Sequence, residues 1–317
     1  MLASIFARHM ASNAVECRDL HKYYDDVKAV DGLDLFVVSG ECFGLLGPNG
    51  AGKTTTIEIL EGLNTPDGGD VQLLGMHWEK RERELRERIG ISLQETQFTD
   101  KLTVLETLTL FRSFYRNGHD PEELIRDLSL EEKRDSRVGK LSGGQKQRLA
   151  VACALVGQPD ILFLDEPTTG LDPQSRLQLW DVVTRFRAGG GTVLLTTHYM
   201  DEAERLCDHL AIVDHGKVIA RGTPAELIAK LDAPNIIEFT SEPPLDALAF
   251  VDLCVGYHGC ARRGDAWQLR VESLAEAVPR LLAVVEKAGA KLKTLSTHAA
   301  TLEDLFVALT GRELRDA

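Results

Sequence analysis

Gly47-Pro48-Asn49-Gly50-Ala51-Gly52-Lys53-Thr54 is the stretch that decides the fold. It fits the pattern G-x-x-x-x-G-K-[ST], follows the apolar run CFGLL (42–46) and precedes a predicted helix. A loop of this kind, set between a strand and a helix, turns several backbone N–H groups onto phosphate oxygens. The glycines let the backbone wrap, Lys53 neutralises charge on the outer phosphates, and the Thr54 hydroxyl reaches a magnesium ion. Two more apolar runs end in residues able to do chemistry: ILFL (161–164) before Asp165-Glu166-Pro167, and TVLL (192–195) before Thr196-Thr197-His198. Asp165 can hold Mg²⁺ through water, and Glu166 can polarise an attacking water. Short apolar runs alternate with helical patterns from about Val15 to Ala225, the rhythm of an α/β fold with a mostly parallel sheet. Ligands of such sheets gather at the carboxyl ends of the strands, so the three runs are expected to converge.

Between Phe98 and Lys140 the pattern turns helical. Thr103 and Glu106 form a capping-box pair, and Asp120-Pro121-Glu122-Glu123 reads as an N-cap, a proline at the first helical position and two acids. Leu105, Leu108, Phe111 and Tyr115 share one helical face and are expected to pack inward. Phe114 falls at the edge of that face and, with Phe98, is a candidate for gripping a partner's helix. The segment EKRERELRER (79–88) spaces Glu79 with Arg83, Glu82 with Arg86 and Glu84 with Arg88, a solvated mixed-charge helix rather than a nucleic-acid patch.

Leu141-Ser142-Gly143-Gly144-Gln145 is a second unusual element. Ser142 and Gln145 make an S-x-x-Q capping box at a helix start. The two glycines that follow the cap cost helix propensity, about 1 kcal/mol each against alanine. In return they leave bare N–H groups at the positive end of a helix dipole, which suits an anion.

GPNGAGKTT, LSGGQKQR, ILFLDEPTTGLDP and LLTTH, in that order, resemble the nucleotide-binding subunit of an ATP-binding-cassette (ABC) transporter. The resemblance covers roughly Val15 to Ala229. It implies a P-loop NTPase (RecA-like) α/β core with a mostly parallel sheet, an antiparallel β subdomain and a helical insertion at about 98–157, the whole cassette spanning 14–233. It also implies ATP as substrate with Mg²⁺ and no other cofactor. The P-loop of one subunit and the LSGGQ signature of another would clamp each nucleotide, so a second copy of the chain is the expected partner. By resemblance, Gly47 through Thr55 hold the phosphates, and Thr54, Asp165 and Gln94 serve the magnesium. Glu166, His198 and Gln94 are catalytic, Ser142 to Gln145 act in trans, and Leu171 and Asp172 link the two sites. Tyr24 in LHKYYDD resembles the aromatic that stacks on adenine, with Tyr23 as its rival.

From about Lys230–Pro234 the α/β rhythm stops. NIIEFT and WQLRV read as strands, 274–288 as a helix, KLKTL as a strand and 301–309 as a capped helix closed by Gly311, an α+β accessory domain over 234–317. Residues 1–13 read as a disordered lead-in without a signal-peptide core, with Met10 an alternative start. The formal charge of −13 argues against a phosphate-backbone binder, hence no nucleic-acid partner. Six cysteines without a C-x-x-C pair suit a reducing cytoplasm and no structural metal. No uncharged apolar stretch approaches the ~20 residues of a membrane span. The resemblance implies an integral membrane permease as a partner, with the chain peripheral at the inner face of the cell membrane. The ending TLEDLFVALTGRELRD resembles drug- and polyketide-exporter ATPases of the daunorubicin-resistance type, which implies export. An importer ATPase with a regulatory domain is the alternative, and an ABC protein acting on ribosomes or DNA a more distant one.

Overall fold

A computed structural model describes residues 12–93, 96–231, 233–250 and 253–310. Gln94 and Gly311 lie outside the described residues. The chain forms two compact units, 12–221 and 222–310 of the described residues, so the division falls ahead of the break expected near Pro234.

In the first unit, β1 (Asn13–Tyr24) and β2 (Val27–Val38) form an antiparallel hairpin, and β3 (Cys42–Leu46) leads into α1 (Lys53–Leu60). β4 (Gly68–Leu73) pairs antiparallel with β1, giving a three-stranded sheet in the order β2-β1-β4. After α2 (Trp78–Arg88) and β5 (Ile89–Ser92) come three helices of the middle segment, α3 (Val104–Arg112), α4 (Pro121–Asp127) and α5 (Gly143–Leu155). The chain continues through β6 (Ile161–Asp165), α6 (Pro173–Ala188), β7 (Thr192–Thr196), α7 (Met200–Leu206), β8 (His209–Asp214) and β9 (Lys217–Gly222). The second sheet runs β5-β6-β7-β3-β8-β9, and the pairs from β5 through β8 are parallel. Every residue of β3, β6 and β7 is buried, as expected for central strands covered on both faces. The apolar core between the two sheets holds Leu33, Leu35, Phe43, Ile57, Phe163 and Leu194.

Local sequence sets the helix starts. Thr103–Glu106 and Ser142–Gln145 both form reciprocal capping boxes, and Asp120 caps α4 ahead of Pro121. Of the three charge pairings expected from spacing, only one forms among the described residues. Glu82 meets Arg86 at 2.9 Å as expected, but Glu84 is taken by Arg81, whose non-helical backbone kinks the helix there. Arg88, at the helix end, instead reaches Asp160 ahead of β6 at 2.6 Å.

The second unit opens with α8 (Pro224–Ala229). It holds β10 (Asn235–Glu242), β11 (Tyr257–Arg263), β12 (Ala266–Val271), α9 (Leu274–Lys287), β13 (Lys291–Ala299) and α10 (Leu302–Thr310). Its four strands form an antiparallel sheet in the order β11-β12-β10-β13. Phe239, Phe250, Leu269, Leu281 and Val285 build its core, with Phe250 edge-on to both Phe239 and Trp267 at 5.5 Å. Thr301 and Asp304 cap α10.

Glu61, at the end of α1, is fully buried, and neither carboxyl oxygen has a hydrogen-bond partner among the described residues. Burial first, then the charges of Asp165 and Glu58, push its pKa from 4.5 to about 8. Below pH 4.5 both folded and unfolded states are protonated, so the group costs no stability. As pH rises toward 8 the unfolded chain ionises while the folded one keeps its proton, and stability is lost at about 1.4 kcal/mol per pKa unit. Glu61→Gln is expected to flatten this loss and to stabilise the fold by a few kcal/mol near pH 8. Urea melts at pH 5 and pH 8 check it; equal destabilisation by the variant at both pH values would be the contrary result.

Candidate functional site

The phosphate loop is shaped by what surrounds its glycines. Gly52 has φ +100°, and a Cβ there would stand 2.1 Å from the Ala29 carbonyl oxygen on the β1–β2 hairpin. At Gly47 a Cβ would meet the Val213 carbonyl at 2.3 Å. The loop is thus pressed between the hairpin and β8, and only glycine fits at these positions. Ala51 donates its N–H to Pro48 and accepts from Gly216, which fixes the turn. The buried Lys53 ammonium donates to the carbonyls of Gly47 (2.7 Å) and Pro48 (3.0 Å). Burial lowers its pKa, while Glu166 and Asp165 pull it back up, so one cation and two carboxylates share the site. Thr54 is exposed at the first turn of α1, and Thr55 is half-buried beside it. Gly50 has φ +77° at the tip of the loop, next to Asn49.

The carboxylates come from the end of β6, the neighbour of β7. Asp165 is buried, and its carboxyl accepts from the Thr196 hydroxyl at the end of β7. Burial raises its pKa, an effect the Thr196 hydrogen bond only partly offsets. Glu166 turns out of the strand with φ +46°, an uncommon conformation for a non-glycine residue and one that clusters at functional sites. Its N–H donates to Thr196 Oγ1 at 3.0 Å, its Oε2 accepts from Thr169 at 3.2 Å, and His198 Nδ1 lies 3.2 Å from the same oxygen. The His198 hydrogen bond, outweighing burial, lowers the Glu166 pKa and keeps this carboxylate ionised. The ends of β3, β6 and β7 therefore bring Lys53, Asp165, Glu166 and His198 together, as the three apolar runs implied.

The signature segment is assembled elsewhere. Ser142 caps α5, and a Cβ on Gly144 would stand 3.2 Å from Ser175 Oγ and 3.5 Å from Leu171 Cδ2. Asp172 caps α6, accepting from Gln174 N, Ser175 N and Ser175 Oγ, and the Ser175 bonds lower its pKa. Ser142 to Gln145, Leu171 and Asp172 thus form one neighbourhood. Of the two candidate aromatics, Tyr23 bonds its hydroxyl to His21 and Asp31, while the Tyr24 hydroxyl accepts from Asn64. Gln94 follows β5 but lies outside the described residues.

Three contributors escaped the sequence reading. Thr196 and Thr169 hold the two carboxylates, yet a threonine ending a strand carries no signal of its own. Arg148 is buried in α5 and ties it to the Leu128 and Ser129 carbonyls and to Gln178, each at 3.0 Å. An arginine inside an otherwise apolar helical run was the available clue.

A glycine-framed phosphate loop, a lysine, and a paired Asp-Glu at the adjoining strand ends define a P-loop ATPase. The comparisons narrow the class. Residues 30–169 match the family model described as ABC transporter. The Nod factor export ATP-binding protein I of Burkholderia pseudomallei (strain 1710b) is 41% identical over 97% of this chain and 100% of its own length. That of Cupriavidus metallidurans is 40% identical over 95% and 99%. Among solved structures, the ATP binding subunit of an ABC transporter superposes with a TM-score of 0.64 at 30% identity, covering 68% of this chain and 92% of that one. The ADP conformation of the cassette MJ1267 gives 0.60 at 27% identity, over 68% and 92%. The chain belongs to the ABC transporter ATP-binding family. It is an ATP-hydrolysing subunit, and such subunits dimerise and act with a membrane permease. No helix among its described residues is long and apolar enough to cross a membrane.

Proposed function

We propose that the chain binds MgATP between two copies of itself and uses its hydrolysis to drive export through a separate membrane permease. The observation that carries this reading is the convergence of Lys53, Asp165, Glu166 and His198 at the ends of adjacent parallel strands. The export direction is supported by relatives that are themselves named export proteins. The donor set suits magnesium, since the Thr54 hydroxyl and the Asp165 carboxylate are hard oxygen ligands, and these two residues would hold the ion. When bound, Mg²⁺ supplies neutralisation of phosphate charge. Lys53 and the loop N–H groups orient the phosphates. Glu166, ionised and fixed by Thr196 and Thr169, orients the attacking water and takes up its proton. His198 steadies that carboxylate and faces the terminal phosphate. Tyr24 stacks on adenine, and Ser142 to Gln145 of the second copy close the site with their free N–H groups. Acting through its permease, the chain works at the cytoplasmic face of the membrane.

The permease contact is assigned to the middle helices. Phe114 is 67% exposed, and its ring lies edge-on to Phe111 at 5.9 Å. Arg83, Arg86, Ile91, Phe111, Phe114 and Tyr115 are among the residues lining a groove of about 470 Å³ between α2, β5 and the end of α3. Phe98 meets Phe111 edge-on at 6.1 Å and so continues the aromatic row behind the groove. An exposed aromatic at the lip of a groove with an apolar wall and a charged rim suits a helix of the permease. Phe114→Ala is expected to leave basal ATPase and melting temperature nearly unchanged while weakening co-purification with the permease about 30-fold, the effect of losing a ~2 kcal/mol hot spot. Undiminished co-purification and transport in this variant would move the docking site elsewhere.

A further inference from the structure

Two side chains meet His198. One is Glu166, 3.2 Å from Nδ1, and the other is Tyr199, whose ring centroid lies 4.2 Å from that of the imidazole at a 40° tilt. A single hydrogen bond leaves an imidazole free to swing about its χ angles; an aromatic ring against it restricts the ring plane. Tyr199 is in turn covered by Arg176, whose guanidinium carbon stands 4.3 Å from the tyrosine centroid. Arg176 lies in the first turn of α6, donates its backbone N–H to the carbonyl of the cap residue Asp172, and reaches Asp201 at 3.4 Å. A continuous row of contacts therefore runs from Asp172 through Arg176, Tyr199 and His198 to Glu166.

A second observation separates this row from ordinary packing. Tyr199 occupies the N-cap of α7 and makes no side-chain cap hydrogen bond. Helix formation favours Ser, Thr, Asp or Asn there, so a tyrosine forgoes cap stability. It is also only half-buried, which gives the apolar core little reason to require it. At this position the ring lies against His198 and under Arg176.

We propose that Tyr199 and Arg176 are positioning residues that hold the His198 imidazole on Glu166 and tie its placement to α6, the helix capped by Asp172. The proposal rests on the reading of His198 and Glu166 as active-site groups. Displacing such a group by about 1 Å can cost up to ~100-fold in rate. Because α6 starts at the segment assigned to the partner-facing side, a shift of α6 on pairing of two copies would be felt at His198 through Arg176 and Tyr199.

The test compares Tyr199→Ser, Tyr199→Phe, Arg176→Met and His198→Ala in the full-length chain, measuring kcat, ATP affinity and melting temperature. Serine is the better helix cap but cannot stack. Tyr199→Ser is expected to lower kcat about 10-fold or more, with ATP affinity within about twofold and an unchanged or higher melting temperature. Tyr199→Phe keeps the ring and is expected to restore at least about half of wild-type kcat; Arg176→Met should fall between the two. Wild-type turnover in Tyr199→Ser, or a loss in Tyr199→Phe as deep as in Tyr199→Ser, overturns the proposal. If Tyr199→Ser melts early, the Phe and Met variants decide by the same kcat comparison. His198→Ala separates the two levels: a wild-type rate there overturns the reading of His198 itself, whereas a large loss there with a normal Tyr199→Ser overturns the positioning role alone.

Discussion

Glu166→Gln is expected to keep ATP bound while slowing hydrolysis by about 10²–10³-fold. The substitution preserves size and the backbone arrangement that sets φ at +46°, because Gln fits the same turn and the N–H bonds to Thr196 are unchanged. What is lost is the negative charge. In the native chain the hydrogen bond from His198 lowers the Glu166 pKa, so the carboxylate stands ready to accept a proton from water at neutral pH. An amide cannot accept that proton. The charge also repels the terminal phosphate, so its removal favours bound nucleotide. If two copies share each ATP, stalled hydrolysis leaves the nucleotide bridging them, and the variant should elute from gel filtration as a dimer with ATP and as a monomer without it. Turnover at the wild-type rate would remove Glu166 from the chemical step. Slow turnover with no ATP-dependent dimer would keep the catalytic assignment and sink the shared site.

Local signals made much of this site legible. The capping boxes at Thr103 and Ser142 and the Asp-Pro start of α4 all depend on residues two or three positions apart, and all formed as spaced. The three strand ends could be placed together because central parallel strands read as unbroken apolar runs, and their polar ends stand out. What stayed hidden depends on partners distant in sequence. Thr196 donates to the Asp165 carboxylate and accepts from the Glu166 backbone N–H across a strand pair, and nothing in TVLLT distinguishes a bonding threonine from a merely β-branched one. Arg88 chose Asp160 over Glu84 because folding brought β5 beside β6. β11 was missed because YHGCARR carries Gly259 at φ +122°, where the register shifts and the alternation of a strand is lost.

Lys53→Ala is expected to weaken ATP binding itself, by about 10- to 100-fold, the scale of a lost charge-assisted hydrogen bond of about 1.5–3 kcal/mol. The ammonium is drawn into the loop, held by the Gly47 and Pro48 carbonyls and facing Asp165 and Glu166. Without it, phosphate would meet two carboxylates with less opposing charge, so the loss falls on the ground state as well as on the chemical step. Titration with a fluorescent ATP analogue measures it; unchanged affinity would deprive the phosphate loop of its main cation. The same variant tests where the rest of the site comes from. Ser142 sits with Leu171, Ser175 and Gly144, on a different element from the loop, and under the proposed shared site each nucleotide needs the loop of one chain and the signature of another. Ser142→Arg blocks the signature and leaves the loop intact. Mixed with Lys53→Ala, it should yield heterodimers holding one site with both mutations and one with neither. ATPase activity of the mixture above that of either variant alone is the expected result. Heterodimers confirmed by mass spectrometry but inactive would mean that the two sites cannot fire independently, and the single intact site would then have to be judged by its nucleotide occupancy.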